Sequence, residues 1–146
     1  MNKQPSLVKI ITIDYAAFMA LLFPIITWGI YMVLVVLQKV KTTDFSLLAI
    51  YTGITIVAVG VMGWRIQVFN SVFNDDIEVP ATISNVFFFR DRGRIDYVYT
   101  YQGQKYASGN TVHKVKQTRS LLVGEQVIVM LDRNNPKRAY IRNLYL

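Results

Sequence analysis

The sequence contains no cysteine, a single histidine (His113) and two long stretches without a charged side chain. The absence of cysteine excludes disulfides, thiolate zinc sites, iron–sulfur clusters and cysteine nucleophiles. His113 has neither a second histidine nor a neighbouring carboxylate in sequence with which to form a triad or a metal site. Because a general base needs a positioned partner, we expect a structural role for His113.

Catalytic signatures are also missing. The sequence has no nucleotide-binding glycine loop, no zincin motif and no nucleophile elbow. Asp75, Asp76 and Glu78 mark the beginning of a linker. Its acidic pair could bind a metal, but no histidine or third clustered carboxylate supports a site, so we interpret the segment as a solvated linker. The sequence therefore predicts no catalytic residue, no metal site and no cofactor, and we expect a protein that is not an enzyme.

The two uncharged stretches cover residues 15–37 and 45–64. A bilayer core about 30 Å thick requires roughly 20 predominantly apolar residues in a helix, and both stretches reach that length. Only residues 38–44 separate them, and Thr43 or Asp44 is suited to cap the second helix. The pattern predicts a two-span helical hairpin in a membrane, with both chain termini on the same side.

The distribution of positive charge bears on orientation and on partners. Lys3, Lys9 and Arg65 flank the spans on the terminal side, against Lys39 and Lys41 in the connection. By the positive-inside rule this excess favours cytoplasmic termini, in a multi-pass protein of the inner (cytoplasmic) membrane. The net charge of +7 is spread along the chain. Such a spread fits proximity to anionic lipid, and nucleic acid, which calls for a concentrated basic stripe, is not an expected partner.

Small residues form a stripe on the second span. Ala49, Gly53 and Gly60 fall within about 40° of one another on a helix. Such a stripe allows close helix packing, and we interpret it as packing within the hairpin, with dimerisation as the alternative. Neither span has an ionisable side chain in its interior, which argues against a transporter or pump. A homo-oligomeric pore would have to be lined by hydroxyls, those of Thr27, Thr52 and Thr55.

The chain divides into three parts: a polar N-terminal tail (1–14), the two-span hairpin with an interfacial helical extension (15–74) and a small β domain (75–146). The extension is predicted from the helical spacing of Ile66, Phe69 and Phe73. After it, roughly five to seven short apolar segments alternate with turn residues, which predicts a small antiparallel barrel or sandwich. The predicted fold class is a membrane α-helical hairpin of two spans plus a small all-β domain.

Tyr97, Tyr99 and Tyr101 alternate along one predicted strand. Strand alternation places them on one face, which we expect to belong to the core together with Val127 and Val129. Three arginines precede this ladder: Arg90, Arg92 and Arg94. Aromatic rings flanked by arginines also stack nucleic-acid bases in single-strand binders, which is one alternative. Contact of the arginines with anionic lipid or with a partner is the other.

A sequence pattern closes the polar half: Gly124-Glu125-x-Val127-x-Val129-x-Leu131-Asp132-x-x-Asn135-Pro136-x-x-Ala139. Together with Val79-Pro80-Ala81-Thr82-Ile83 and the tyrosine ladder, it resembles the bacterial domain-of-unknown-function family 3592, whose members end in G-[DE]-x-V-x-V-x-Y-[DN]-P-x-N-P-x-x-A. The resemblance covers residues 79–141 and departs from the pattern at Leu131 and Arg133, where Tyr and Pro are usual.

The resemblance implies a small β domain anchored in a membrane, and it implies no activity. The closing motif is structural: Asp132 is expected to bond back to its own turn, and Asn135-Pro136 to set the turn dihedrals.

The leading functional hypothesis is a non-enzymatic membrane-anchored interaction module that presents its β domain beside the bilayer. Its partner would be an envelope protein or the lipid surface, and the module itself is a possible homo-oligomer. One alternative is an immunity or accessory subunit that binds a toxin or a larger membrane complex. Another is a small homo-oligomeric channel.

Overall fold

A computed structural model describes residues 4–41, 44–75 and 77–146. Three residues that the predictions above name, Lys3, Thr43 and Asp76, lie outside these ranges. Helices in the N-terminal half are α1 (Leu7–Ile13), α2 (Tyr15–Val36) and α3 (Phe45–Asn74). The C-terminal half comprises β1 (Ile77–Phe89), β2 (Arg92–Tyr101), β3 (Gln104–His113), α4 (Lys116–Arg119), β4 (Gln126–Leu131), β5 (Ala139–Ile141) and α5 (Arg142–Tyr145).

Helices α2 and α3 are long and apolar enough to cross a membrane, with mean hydropathies of 2.3 and 2.1. Asp14 caps α2 by accepting from Ala17 N, and Asp44 caps α3 by accepting from Ser46 N. The two helices pack against each other through aromatic residues. Trp28 Nε1 donates to Thr55 Oγ1 at 2.9 Å, and the rings of Tyr31 and Tyr51 lie 5.2 Å apart. These contacts are compatible with the predicted hairpin.

Five antiparallel strands form one sheet in the order β3-β2-β1-β4-β5. A register shift between Ile83 and Asn85 interrupts the pairing of β1 with β2, and such bulges bend and twist a sheet. The sheet curls until β5 lies beside β3, so that it forms a nearly closed barrel. The prediction of a small antiparallel β domain is confirmed.

The polar tail predicted for residues 1–14 is wrong for its second half, because Leu7–Ile13 form α1. Ile10 and Ile13 are completely or almost completely buried. They are three residues apart, so both side chains leave the helix on the same side. The sequence analysis missed this short apolar face because Lys9 lies within the segment and Asp14 directly follows it.

One hydrophobic core joins the helices to the sheet. It combines α1, the end of α3, the inner faces of the strands and α5. Residues 66–74 are helical as predicted, and the side chains of Phe69 and Phe73 are buried in this core. The predicted core strands are also confirmed, since Val127 and Val129 are buried.

The tyrosine ladder belongs to the same core. Tyr97 and Tyr99 are buried, and Tyr101 is half-buried at the end of β2. The two buried rings are not available to stack nucleic-acid bases, so the core interpretation of this face replaces the alternative.

Candidate functional site

A buried ion pair joins the junction of α1 and α2 to α3, close to the β domain. Asp14, between α1 and α2, accepts from Arg65 Nε at 3.1 Å, and its second oxygen pairs with Arg65 Nη2. The side chains are 3% and 15% exposed, respectively. The same Asp14 carboxylate caps α2, so one side chain fixes the helix and holds the cation.

Aromatic rings surround the Arg65 guanidinium. Its Cζ atom lies 5.3 Å from the ring centre of Phe69, 5.7 Å from that of Trp64 and 5.9 Å from that of Tyr140. Rings at such distances attract a cation, and they also shield it from water. Burial is the largest cause that raises the pKa of Tyr140, so this hydroxyl is protonated at neutral pH. The ion pair is therefore largely buried, with aromatic rings around the guanidinium.

A cleft of about 510 Å³ opens beside this ion pair, and we call it the junction cleft. One wall is formed by the helix ends, with Tyr15, Trp64 and the Asp14–Arg65 pair. The opposite wall is formed by β3 and the approach to β5, with Lys137 and Arg138 at its edge. Three cationic side chains and one carboxylate thus line the cleft.

Side chains close the gap between β3 and β5 behind the cleft, and we call this gap the seam. Tyr97 donates its hydroxyl proton to the Ala139 carbonyl at 2.6 Å, and Asn110 Nδ2 donates to the same oxygen at 2.9 Å. Ser108 Oγ donates to the Lys137 carbonyl at 2.8 Å. These bonds fix the position of the cleft wall that carries Lys137.

The turn before β5 has the residues that the sequence singled out as structural. The Asp132 carboxylate accepts from Asn134 N at 2.9 Å and pairs with Arg138 Nη1 at 3.1 Å. Asn135 N donates to the Asp132 carbonyl at 3.2 Å, and the Pro136 carbonyl accepts from the Tyr99 hydroxyl. The turn therefore orients the segment 137–138 towards the junction cleft.

The three candidate arginines lie at the turn between β1 and β2, in a segment that we call the hairpin tip (residues 87–94). Arg94 pairs with Asp96 at 2.6 Å, and Arg90 lies over the Phe89 ring at 5.3 Å. Phe87 and Phe89 are more than half exposed, at 59% and 52%. A hollow of about 280 Å³ lies between these rings and the side chains of Arg92, Arg94 and Thr111.

The hairpin tip is close to the domain-side ends of α2 and α3. Thr111 lines both its hollow and the junction cleft, so the two depressions are neighbours. His113, paired with Arg92 across the sheet, stacks on Phe18 of α2 with ring centres 4.2 Å apart. His113 thus makes a structural contact between the sheet and the first turn of α2.

The interpretation of the small-residue stripe as packing within the hairpin is wrong. Ala49, Gly53 and Gly60 are exposed, and a Cβ atom added at either glycine would meet nothing within 4 Å. The helices instead meet through larger side chains such as Trp28 and Tyr51. Aromatic packing and a hydrogen bond determine which face of α3 turns inward, so the small residues face outward.

A leucine at position 53 separates the remaining alternative, dimerisation, from simple exposure to lipid. We expect Gly53→Leu to leave the free energy of unfolding of the single chain within about 0.5 kcal/mol of wild type, because its side chain enters open space. If the stripe is a dimer contact, cross-linking in membranes will decrease relative to wild type.

The matched control is Val59→Leu, which enlarges an exposed residue away from the stripe. Unfolding of the single chain by Gly53→Leu would contradict the outward placement of the stripe. Unchanged cross-linking would remove the dimerisation alternative.

In the described part of the chain, no three histidine or carboxylate side chains gather into a group that could hold a metal ion. The features that sequence reasoning missed are the ion pair and the cleft. Asp14 and Arg65 are separated by 51 positions, and in the sequence only their equivalent places at the domain-side ends of the two apolar stretches hinted that they would meet.

The chain was compared with protein-family models, with curated proteins and with solved structures, and no match was found in any of the three comparisons. The resemblance of residues 79–141 to domain-of-unknown-function family 3592 therefore stays a prediction.

Proposed function

We propose that this chain is a non-enzymatic, membrane-anchored interaction module of the inner (cytoplasmic) membrane. Helices α2 and α3 span the bilayer, and the β domain is held on its cytoplasmic surface for contact with an envelope protein or with lipid. One observation carries the proposal: the end of α3 and the β domain share a single hydrophobic core. A domain fixed in this way cannot swing on a linker, so it presents one defined surface at the bilayer.

The contacts at the span ends support this placement. Tyr15 and Trp64 occur at the domain-side ends of the two apolar stretches, where aromatic residues are enriched at membrane–water interfaces. Asp14 forms a β-bridge with Val112, so β3 contacts the chain directly before α2. Because β2 of the hairpin tip pairs with β3, this contact supports a position of the hairpin tip beside the bilayer surface.

The hairpin tip is the surface best suited to contact a partner. Its two exposed phenylalanines and its arginines combine apolar area with donors, a composition enriched in the centre of protein interfaces. The same composition suits the membrane interface, where phenylalanine enters the headgroup region and arginine reaches phosphate.

The channel alternative has less support. The hydroxyl of Thr27 donates to the Pro24 carbonyl and that of Thr55 to the Tyr51 carbonyl, each at 2.9 Å. Hydroxyls that bond to their own helix are poorly placed to line a hydrated pore. No observation specifically favours a toxin-immunity role.

Site-directed labelling tests the topology. Because the chain has no cysteine, Lys41→Cys and Lys137→Cys each introduce a single thiol at an exposed position. In spheroplasts we expect a membrane-impermeant maleimide to label position 41 directly and position 137 only after the membrane is permeabilised.

Lys39→Cys and Lys105→Cys serve as second sites on the two predicted sides. The reverse pattern would place the β domain outside the cytoplasm. Equal labelling of positions 41 and 137 in sealed spheroplasts would contradict the hairpin.

A further inference from the structure

We propose that the junction cleft binds the phosphate of an anionic phospholipid headgroup, an inference that rests on the proposed membrane anchoring. The cleft lies at the level where headgroups occur beside spanning helices, between the aromatic ends of α2 and α3 and the edge of the β domain. Its volume, about 510 Å³, is that of a small-molecule site.

The charges in the cleft favour an anion. Asp14 neutralises Arg65 and Asp132 pairs with Arg138, so the uncompensated positive charge of the cleft is that of Lys137. Arg138 pairs with Asp132 through Nη1 only, and its side chain remains 41% exposed, which leaves further N–H groups of the guanidinium for a ligand. Lys137 has no ion-pair partner among the described residues.

The donors in the cleft are of the kind that phosphate requires. A guanidinium presents several N–H groups in a fixed plane, and an ammonium acts as a compact point charge beside it. The exposed Thr111 hydroxyl completes the wall that faces the helix ends. The seam bonds hold this wall in place before any ligand arrives, so little ordering cost accompanies binding.

An apolar track leads out of the cleft along α3. Val57, Val61 and Trp64 are spaced by four and three residues, so they lie on one face of the helix, and all three are exposed. Trp64 also lines the cleft. A lipid with its phosphate in the cleft would place its acyl chains along this track. That continuity of a cationic site with an apolar face distinguishes a phospholipid from a soluble phosphate.

The test uses the full chain purified in the neutral detergent dodecyl maltoside. Native mass spectrometry measures the retention of phosphatidylglycerol against phosphatidylcholine of the same chain length, with glycerol 3-phosphate and inorganic phosphate as soluble probes. We expect selective retention of phosphatidylglycerol by the wild type, and roughly tenfold weaker retention by Lys137→Glu, because the variant reverses the unpaired charge.

Lys105→Glu is the matched control, since it makes the same change at an exposed position at the start of β3, outside the cleft, and it should bind like wild type. Lys137 contributes only its backbone carbonyl to the seam, so its substitution is not expected to unfold the domain, and circular dichroism checks this. Lys137→Ala, with a smaller loss than Lys137→Glu, provides a second variant if the charge reversal disturbs the fold.

Three outcomes would overturn the proposal: equal retention of the two lipids, equal losses in the Lys137 and Lys105 variants, or binding of the soluble phosphates as strong as that of phosphatidylglycerol. The last would show a phosphate site without lipid specificity. Because the assay does not depend on which side the domain faces, its failure alongside a correct labelling pattern would remove the lipid site and leave the anchored module intact.

Discussion

Replacing Asp14 by asparagine is expected to lower the free energy of unfolding of the full chain by about 3–5 kcal/mol, since the charge of Arg65 would remain buried without a counter-ion. Asparagine retains an acceptor for Ala17 N, so the variant isolates the charge from the helix cap. The expected decrease in thermal midpoint in detergent is on the order of 10 °C. The measurement is the thermal unfolding curve of the full chain, followed by the circular dichroism signal of β structure.

The double variant Asp14→Asn/Arg65→Met tests the cause. This variant removes both charges and places an apolar side chain among the aromatic rings that surround Arg65. It should therefore recover much of the stability lost in Asp14→Asn. A double variant as unstable as Asp14→Asn would show that the pair acts through its geometry and not through an uncompensated charge. A single variant as stable as wild type would contradict the burial of the pair.

Substitution of Phe69 by alanine is expected to unfold the β domain, although Phe69 belongs to a helix. Its ring is fully buried, 4.3 Å from the ring of Tyr140 and 4.5 Å from that of Tyr145. Loss of a buried phenylalanine typically costs about 3–5 kcal/mol, a large share of the stability of a small domain.

Phe45→Ala is the control at the other end of the same helix, where the ring is 84% exposed. We expect it to change stability by no more than about 0.5 kcal/mol. The readout is the β signal in circular dichroism together with protease resistance of the C-terminal half. If Phe69→Ala leaves both unchanged, the helix and the sheet do not share a core.

The parts of the fold that follow from local pattern were predictable from the sequence. The lengths of the apolar stretches indicated α2 and α3, and the alternation around Tyr97 and Tyr99 indicated a strand with one buried face. Such signals depend only on neighbouring residues, because apolar residues recur with a different period in helices and in strands.

The parts that depend on contacts between distant residues were not predictable in the same way. Whether Gly53 faces the partner helix depends on the rotation of α3, which aromatic residues such as Trp28 determine. The pairing of Asp14 with Arg65 depends on how the β domain sits on the helix ends. In the sequence these two residues are merely charges that flank apolar stretches, a location where charges are common in any membrane protein.

The packing of α1 against α5 has a consequence for the order of folding during synthesis. Ser6 N donates to the Tyr145 carbonyl at 2.9 Å, so these two short elements meet across nearly the whole length of the chain. Helices α2 and α3 are complete before any strand has been made, whereas α1 receives its partner α5 only after the last strand has left the ribosome. Contacts this distant in sequence form slowly, because closing a long loop costs entropy before the contact repays it. The nascent chain therefore passes through a stage in which the two long helices are complete while the side of α1 that packs against α5 is still uncovered, and in this stage a chaperone has access to it.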